Sequence, residues 1–142
     1  MALKIAKGIW FVSMIIFLAI FFYNYAGLNP SVTVLEGASP VIVSKETLFY
    51  IFLCIVATIN LFIFLISRFF ISIEFKTWFY GLVVTFNGFL AIAINYIGLY
   101  NSLEKFNYER LGGIIYGSVV LMLLWLLSWP IYSLARRMAS KL

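Results

Sequence analysis

The sequence predicts an all-α membrane protein, a bundle of four transmembrane helices with both termini in the cytoplasm and a short β-hairpin in its first external loop. Three observations carry this. Of the 142 residues, 65% are hydrophobic and 11% charged, with a mean hydropathy of +1.09, outside the composition of a soluble domain. Four apolar runs each approach the roughly 20 residues that a helix needs to cross the hydrocarbon core of a bilayer. Lysine and arginine gather on alternate connections between those runs, the pattern that sets membrane orientation. The connections are too short for a second domain, so residues 1–142 are expected to form a single integral membrane domain.

The first span is placed at residues 8–26. Trp10 and Phe11 stand at one end, and Phe21, Phe22, Tyr23 and Tyr25 at the other, as interfacial anchors do. Lys4 and Lys7 ahead of an apolar run also suit a signal peptide. Asn24 at the third position before a cut after Ala26 fits the small-residue rule poorly, and the run is long, so a retained span is expected.

The loop at residues 28–46 carries two β-branched runs, Ser31-Val-Thr-Val-Leu and Val41-Ile-Val, around a turn at residues 36–40. That is a hairpin pattern. A two-stranded hairpin alone is marginal in water, so it is expected to rest on the membrane surface, on the other external loop or on a partner.

The second span, residues 47–67, is closed by Arg68 and has Asn60 as its strongly polar interior residue. It also holds Cys54, the sole cysteine, which rules out a disulfide within the chain and a thiolate metal cluster and reads as a small core hydrophobe. The third span, residues 78–100, follows a short connection with Glu74 and Lys76. It carries Gly81, Thr85, Gly88, Ala91, Asn95, Gly98 and Ser102, spaced three or four apart, a row expected to lie on one helical face and admit close packing. The fourth, residues 111–132, opens with Gly113-x-x-x-Gly117, a second small pair expected to pack. Pro130 near its end is expected to bend or terminate the helix.

Lys4, Lys7, Arg68, Lys76, Arg136, Arg137 and Lys141 fall on one side of this topology, and Lys45, Lys105 and Arg110 on the other. Seven against three predicts a cytoplasmic N-terminus, 68–77 connection and C-terminus. The net charge of +5 and pI near 9.4 come from these scattered residues, which read as orientation signals and not as a nucleic-acid stripe.

The chain contains no histidine and no aspartate, and all five acids are glutamates. That removes His-based catalysis, His-ligated haem and most metal sites. Serine and threonine nucleophiles have nothing to activate them. No charged residue lies within a predicted span, which argues against a proton relay or voltage sensor. No enzyme activity, cofactor or metal is expected. The aromatic content of 20% reads as lipid-facing or core surface, or as cover for a partner's helices, and not as a quinone or haem box. The intramembrane amides Asn60, Asn87 and Asn95 remain open between interhelical glue and a polar ligand site.

Phe22-Tyr-Asn-Tyr25, a β-prone loop, and Gly37-Ala-Ser-Pro-Val-Ile-Val-Ser-Lys45 leading into an apolar helix together resemble the small domain of unknown function that begins SdpI-type bacterial immunity and signalling membrane proteins. The resemblance covers the first half of the chain, and Gly37, Pro40, Ser44 and Lys45 carry it. It implies a bacterial envelope location and recognition outside the cytoplasm through those residues. The function expected first is a non-catalytic accessory or scaffolding subunit of a larger envelope complex in the bacterial cytoplasmic (inner) membrane, with the bilayer and membrane proteins as partners and no nucleic acid. The alternative is a receptor or immunity protein that recognises a peptide or toxin through loop 28–46. A third is a small transporter or lipid-binding bundle built on the three asparagines.

Overall fold

The computed structural model describes residues 1–35, 39–102 and 108–140, with the backbone alone at 108–111. Four helices and one hairpin make up the described chain: α1 (Ala2–Gly27), β1 (Ser31–Leu35), β2 (Val41–Ser44), α2 (Lys45–Phe69), α3 (Ile73–Tyr100) and α4 (Tyr108–Ala139). Each helix has 25 or more residues, about 38 Å at 1.5 Å per residue, against a hydrocarbon core of about 30 Å. All four are long and apolar enough to span a membrane.

The helices outrun the predicted spans, and at the starts of α2 and α3 a serine cap sets the end. The Ser44 hydroxyl accepts the Thr47 amide at 3.1 Å and starts α2. The Ser72 hydroxyl accepts the Phe75 amide at 3.2 Å and starts α3, with Glu74 in its first turn. Both satisfy amides that a helix start leaves without a partner. Pro130 does not terminate α4, which runs nine residues past it to Ala139.

Contacts fix the directions of the helices. Trp10 meets Tyr80 at 5.6 Å between ring centroids, and Asn24 meets Asn95, so α1 and α3 run the same way. Phe49 and Phe52 of α2 stack on Phe21 of α1 at 5.8 and 5.2 Å, while Ser67 shares a hydrogen bond of 2.9 Å with Tyr80, so α2 runs against both. Trp78 pairs with Trp125, and Glu74 lies near Arg136, so α4 also runs against α3. Both described termini therefore lie at one end, where Ala2 and Tyr132 wall the same cavity. That end, called the basic end here, holds Lys4, Lys7, Arg68, Lys76, Arg136 and Arg137. The hairpin sits at the other.

Helix α3 is the axis. It packs along α1 on one side and against α4 on another. The main core joins Phe17, Phe21, Phe52, Leu90, Ala91 and Ile94 from α1, α2 and α3; a smaller one at the basic end joins Ile63, Tyr80 and Val83. Phe17 and Ile94 are fully enclosed, so part of the phenylalanine content builds the interior. Cys54, expected in the core, is exposed on the apolar flank of α2. Among the described residues helix α4 packs chiefly against α3, and none of its apolar stretch is buried.

The hairpin forms as the β-branched runs predict. β1 and β2 pair antiparallel, Ser31 with Ser44, Val32 with Val43 and Thr33 with Ile42, and the register slips between Thr33 and Leu35. It rests on its own helices. Val32 is 0% exposed and lies against Leu28, Leu48 and the outer core, a burial worth on the order of 2 kcal/mol where the alternative is water. The Asn101 side chain, at the C-cap of α3, brackets Thr33: it accepts the Thr33 amide at 2.8 Å and donates to the Thr33 carbonyl at 2.9 Å.

Candidate functional site

The chain offers three places where polar or tightly packed groups gather: the α1–α3 seam, the α3–α4 junction and the hairpin. The seam takes up two of the three predicted asparagines. Asn87, 5% exposed, donates from Nδ2 to the Ser13 hydroxyl at 2.9 Å. Eight residues further along, about 12 Å on a helix, Asn95 Oδ1 accepts from Asn24 Nδ2 at 2.8 Å. The Asn24 amide also donates to its own Ile20 carbonyl at 2.9 Å. Asn60 stands apart on α2 and donates to the Val56 carbonyl of its own helix at 2.8 Å. The three asparagines therefore do not converge on one ligand. Two join helices, at about 0.6 kcal/mol for an average interhelical hydrogen bond.

Sequence reasoning passed over Ser13 and Asn24, the partners in both pairs. A signal was present: an amide in hydrocarbon needs a partner, and Asn24 and Asn95 each lie within two turns of the same end of parallel helices.

The row of small residues on α3 serves two neighbours. A Cβ at Gly81 would enter the Trp125 indole of α4, and one at Gly98 would enter the Asn24 side chain of α1. Seventeen residues separate the two glycines, which turns them about 100° apart around an ideal helix. Between them Ala91 belongs to the main core, Thr85 bonds the Leu82 carbonyl of its own helix, and Gly88 faces open space. Ser102, last in the row, bonds the Leu99 carbonyl. Gly113 and Gly117, expected to pack within the chain or against a second copy, have nothing among the described residues within 4 Å of a Cβ built there.

At the α3–α4 junction two indoles exchange hydrogen bonds. Trp78 Nε1 donates to the Trp125 carbonyl at 2.9 Å and lies 3.1 Å from the Ser128 hydroxyl; Trp125 Nε1 donates to the Trp78 carbonyl at 3.0 Å. Trp129 adds an edge-on contact with Phe75 at 5.0 Å. Above this junction α4 stands off from α2 and leaves an apolar groove of about 270 Å³ between Ile59 and Phe62 of α2, Leu82 and Phe86 of α3, and Met122 and Leu126 of α4.

In the hairpin, two of the four residues that carry the resemblance have local structural roles. Ser44 caps α2. Lys45 Nζ donates to the Leu28 carbonyl at 3.2 Å and sits 4.5 Å above the Tyr25 ring, while its backbone amide donates to the Pro30 carbonyl at 2.9 Å. Pro40 is exposed near the tip, and Gly37 lies outside the described residues. The surface offered outward is made of Leu35, Val41 and Ile42, which are 62%, 45% and 60% exposed.

Among the described residues no group of histidine, cysteine, aspartate or glutamate is placed to hold a metal ion. No protein-family model, curated protein or solved structure matches the chain.

Proposed function

We propose that this chain is a non-catalytic, multi-pass membrane protein that serves as an accessory subunit of a larger bacterial envelope complex, with its basic end in the cytoplasm. The observation that carries the reading is Gly113 and Gly117, one turn apart on exposed α4, with nothing among the described residues within 4 Å of a Cβ at either. Elsewhere in this bundle the tight glycines, Gly81 and Gly98, each admit a side chain of a neighbouring helix. Lipid supplies no hydrophobic drive between helices, so small residues on an outer face favour a helix that can approach closely. The absence of histidine and aspartate supports a role without chemistry, and the charge count supports the orientation.

The test is gentle extraction through a small C-terminal tag, followed by mass spectrometry of what copurifies. A stoichiometric set of larger membrane proteins is expected, lost in the Gly113→Leu, Gly117→Leu double variant while insertion is retained. Copurification of nothing but the chain, as monomer or homo-oligomer, sinks the reading.

The hairpin favours a second reading, recognition of an external peptide or toxin. It is held rigidly by Asn101 and Val32 and presents Leu35, Val41 and Ile42 outward. A photocrosslinker at position 42 is expected to capture an external polypeptide, with capture lost when Leu35 and Val41 become serine. Capture of lipid alone removes this reading.

A further inference from the structure

At the basic end the geometry points to a site for the phosphate group of an anionic phospholipid, between the start of α3 and the last turns of α4. A cavity of about 310 Å³ there is lined by Ser72, Tyr132, Ser133, Arg136, Arg137 and Ser140, with Trp129 as its inner wall. Arginine forks suit phosphate oxygens, bidentately and with charge assistance. The Tyr132 and Ser133 hydroxyls supply further donors, while those of Ser72 and Ser140 donate to Glu74 and to the Arg137 carbonyl.

The charge around this cavity is not balanced within the chain. Among the described residues the one ion pair is Arg136 with Glu74, at 3.9 Å and with both side chains more than half exposed. Glu74 is already held by the Ser72 hydroxyl, which donates to Oε2 at 2.8 Å. Arg137 has no carboxylate beside it among the described residues. The phosphate is therefore placed toward Arg137 and Ser133, away from Glu74. Lys4, Lys7, Arg68 and Lys76 at the same end add to the positive field.

A neighbouring cavity decides between a lipid and a free phosphate. It measures about 660 Å³, shares Trp129 and Tyr132 with the basic one, and continues along Trp78, Trp125 and Ile73 toward Ala2 of α1, with Glu74, Thr77 and Ser128 as the polar part of its wall. A cationic cup opening onto a mainly aromatic and apolar trough fits a molecule with an anionic head and an apolar body. Tryptophan and tyrosine at this level also mark the membrane interface, where headgroups lie. Basic pockets between helices on the cytoplasmic side bind such headgroups.

The experiment is native mass spectrometry of the full chain in a non-ionic detergent, titrated with phosphatidylglycerol or with phosphatidylcholine. Wild-type protein is expected to retain phosphatidylglycerol preferentially, and Arg136→Gln with Arg137→Gln to lower that retention roughly tenfold. Ser133→Glu, which places a carboxylate in the cup and leaves both arginines, is expected to do the same. Arg68→Gln with Lys76→Gln removes equal charge from the same end and is expected to leave retention within about twofold. Equal loss in that control reduces the effect to general charge and overturns the site. So does an absence of preference between the two lipids. Displacement of phosphatidylglycerol by millimolar inorganic phosphate overturns the assignment to a lipid.

Discussion

Leucine in place of Gly81 is expected to detach α4 from the bundle, at a cost of about 3 kcal/mol from overpacking and lost hydrogen bonds. The position admits no side chain because the Trp125 indole lies where a Cβ would stand. That indole cannot swing aside freely. Its Nε1 is bonded to the Trp78 carbonyl, and the Trp125 carbonyl receives the Trp78 indole in return. Moving the Trp125 ring breaks its own bond to the Trp78 carbonyl, and the reciprocal bond to the Trp125 backbone carbonyl is lost once α4 itself shifts; both lie where α4 packs against α3. Unfolding in mixed micelles, followed by tryptophan fluorescence, measures the loss. Gly88→Leu is the matched control, because Gly88 meets open space on the same helix, and it is expected to change stability by less than about 0.5 kcal/mol. Equal effects at the two glycines would refute the assignment.

The second large effect is expected at Asn101. Its side chain satisfies both the N–H and the C=O of Thr33, and its Nδ2 also donates to the Ile97 carbonyl at 2.8 Å. Asn101→Leu leaves the Thr33 groups without partners beside a fully buried Val32, a loss of about 2–3 kcal/mol in hairpin docking. Amide hydrogen exchange at Val32 and Thr33 is expected to accelerate roughly a hundredfold, while exchange in the middle of α3 stays unchanged. Asn101→Asp keeps the acceptor and loses the donor, so an intermediate acceleration is expected. Unaltered exchange in the leucine variant would show that Val32 alone moors the hairpin.

What the sequence revealed and what it hid follow from the solvent. Span number and hairpin were legible, because an apolar run of membrane length and two β-branched runs around a proline turn each have one structural solution. Helix ends were placed too far inward, since hydropathy falls off before the Ser44 and Ser72 caps are reached. The choice of neighbours was harder to read. In lipid the inward and outward faces are both apolar, so Phe17 in the core and Phe22 on the flank look alike in sequence. Polar and small residues carry that information, and there the reading was half right. Asn87 and Asn95 join helices as glue would, whereas Asn60 turns back on its own backbone. The row of small residues was treated as one face although its short spacing slides it around the helix, which hands Gly81 to α4 and Gly98 to α1. Asn101, at the edge of a predicted loop, gave no sign of reaching 68 positions back to Thr33.

The α1–α3 seam also sets a clock on biogenesis. Ser13 and Asn24 enter the bilayer with the first helix, but their partners Asn87 and Asn95 lie 74 and 71 residues downstream. At a synthesis rate of about 5–20 residues per second, the first helix waits several seconds for the third. Asn24 has the Ile20 carbonyl of its own turn for its amide, and Ser13 has the Trp10 carbonyl for its hydroxyl, so the nascent helix carries an internal partner for each of these two polar groups. The hairpin waits on the same event, because Asn101 emerges last of all these residues. The outer half of the molecule therefore closes in one late step, when the third helix arrives and seam and hairpin lock together.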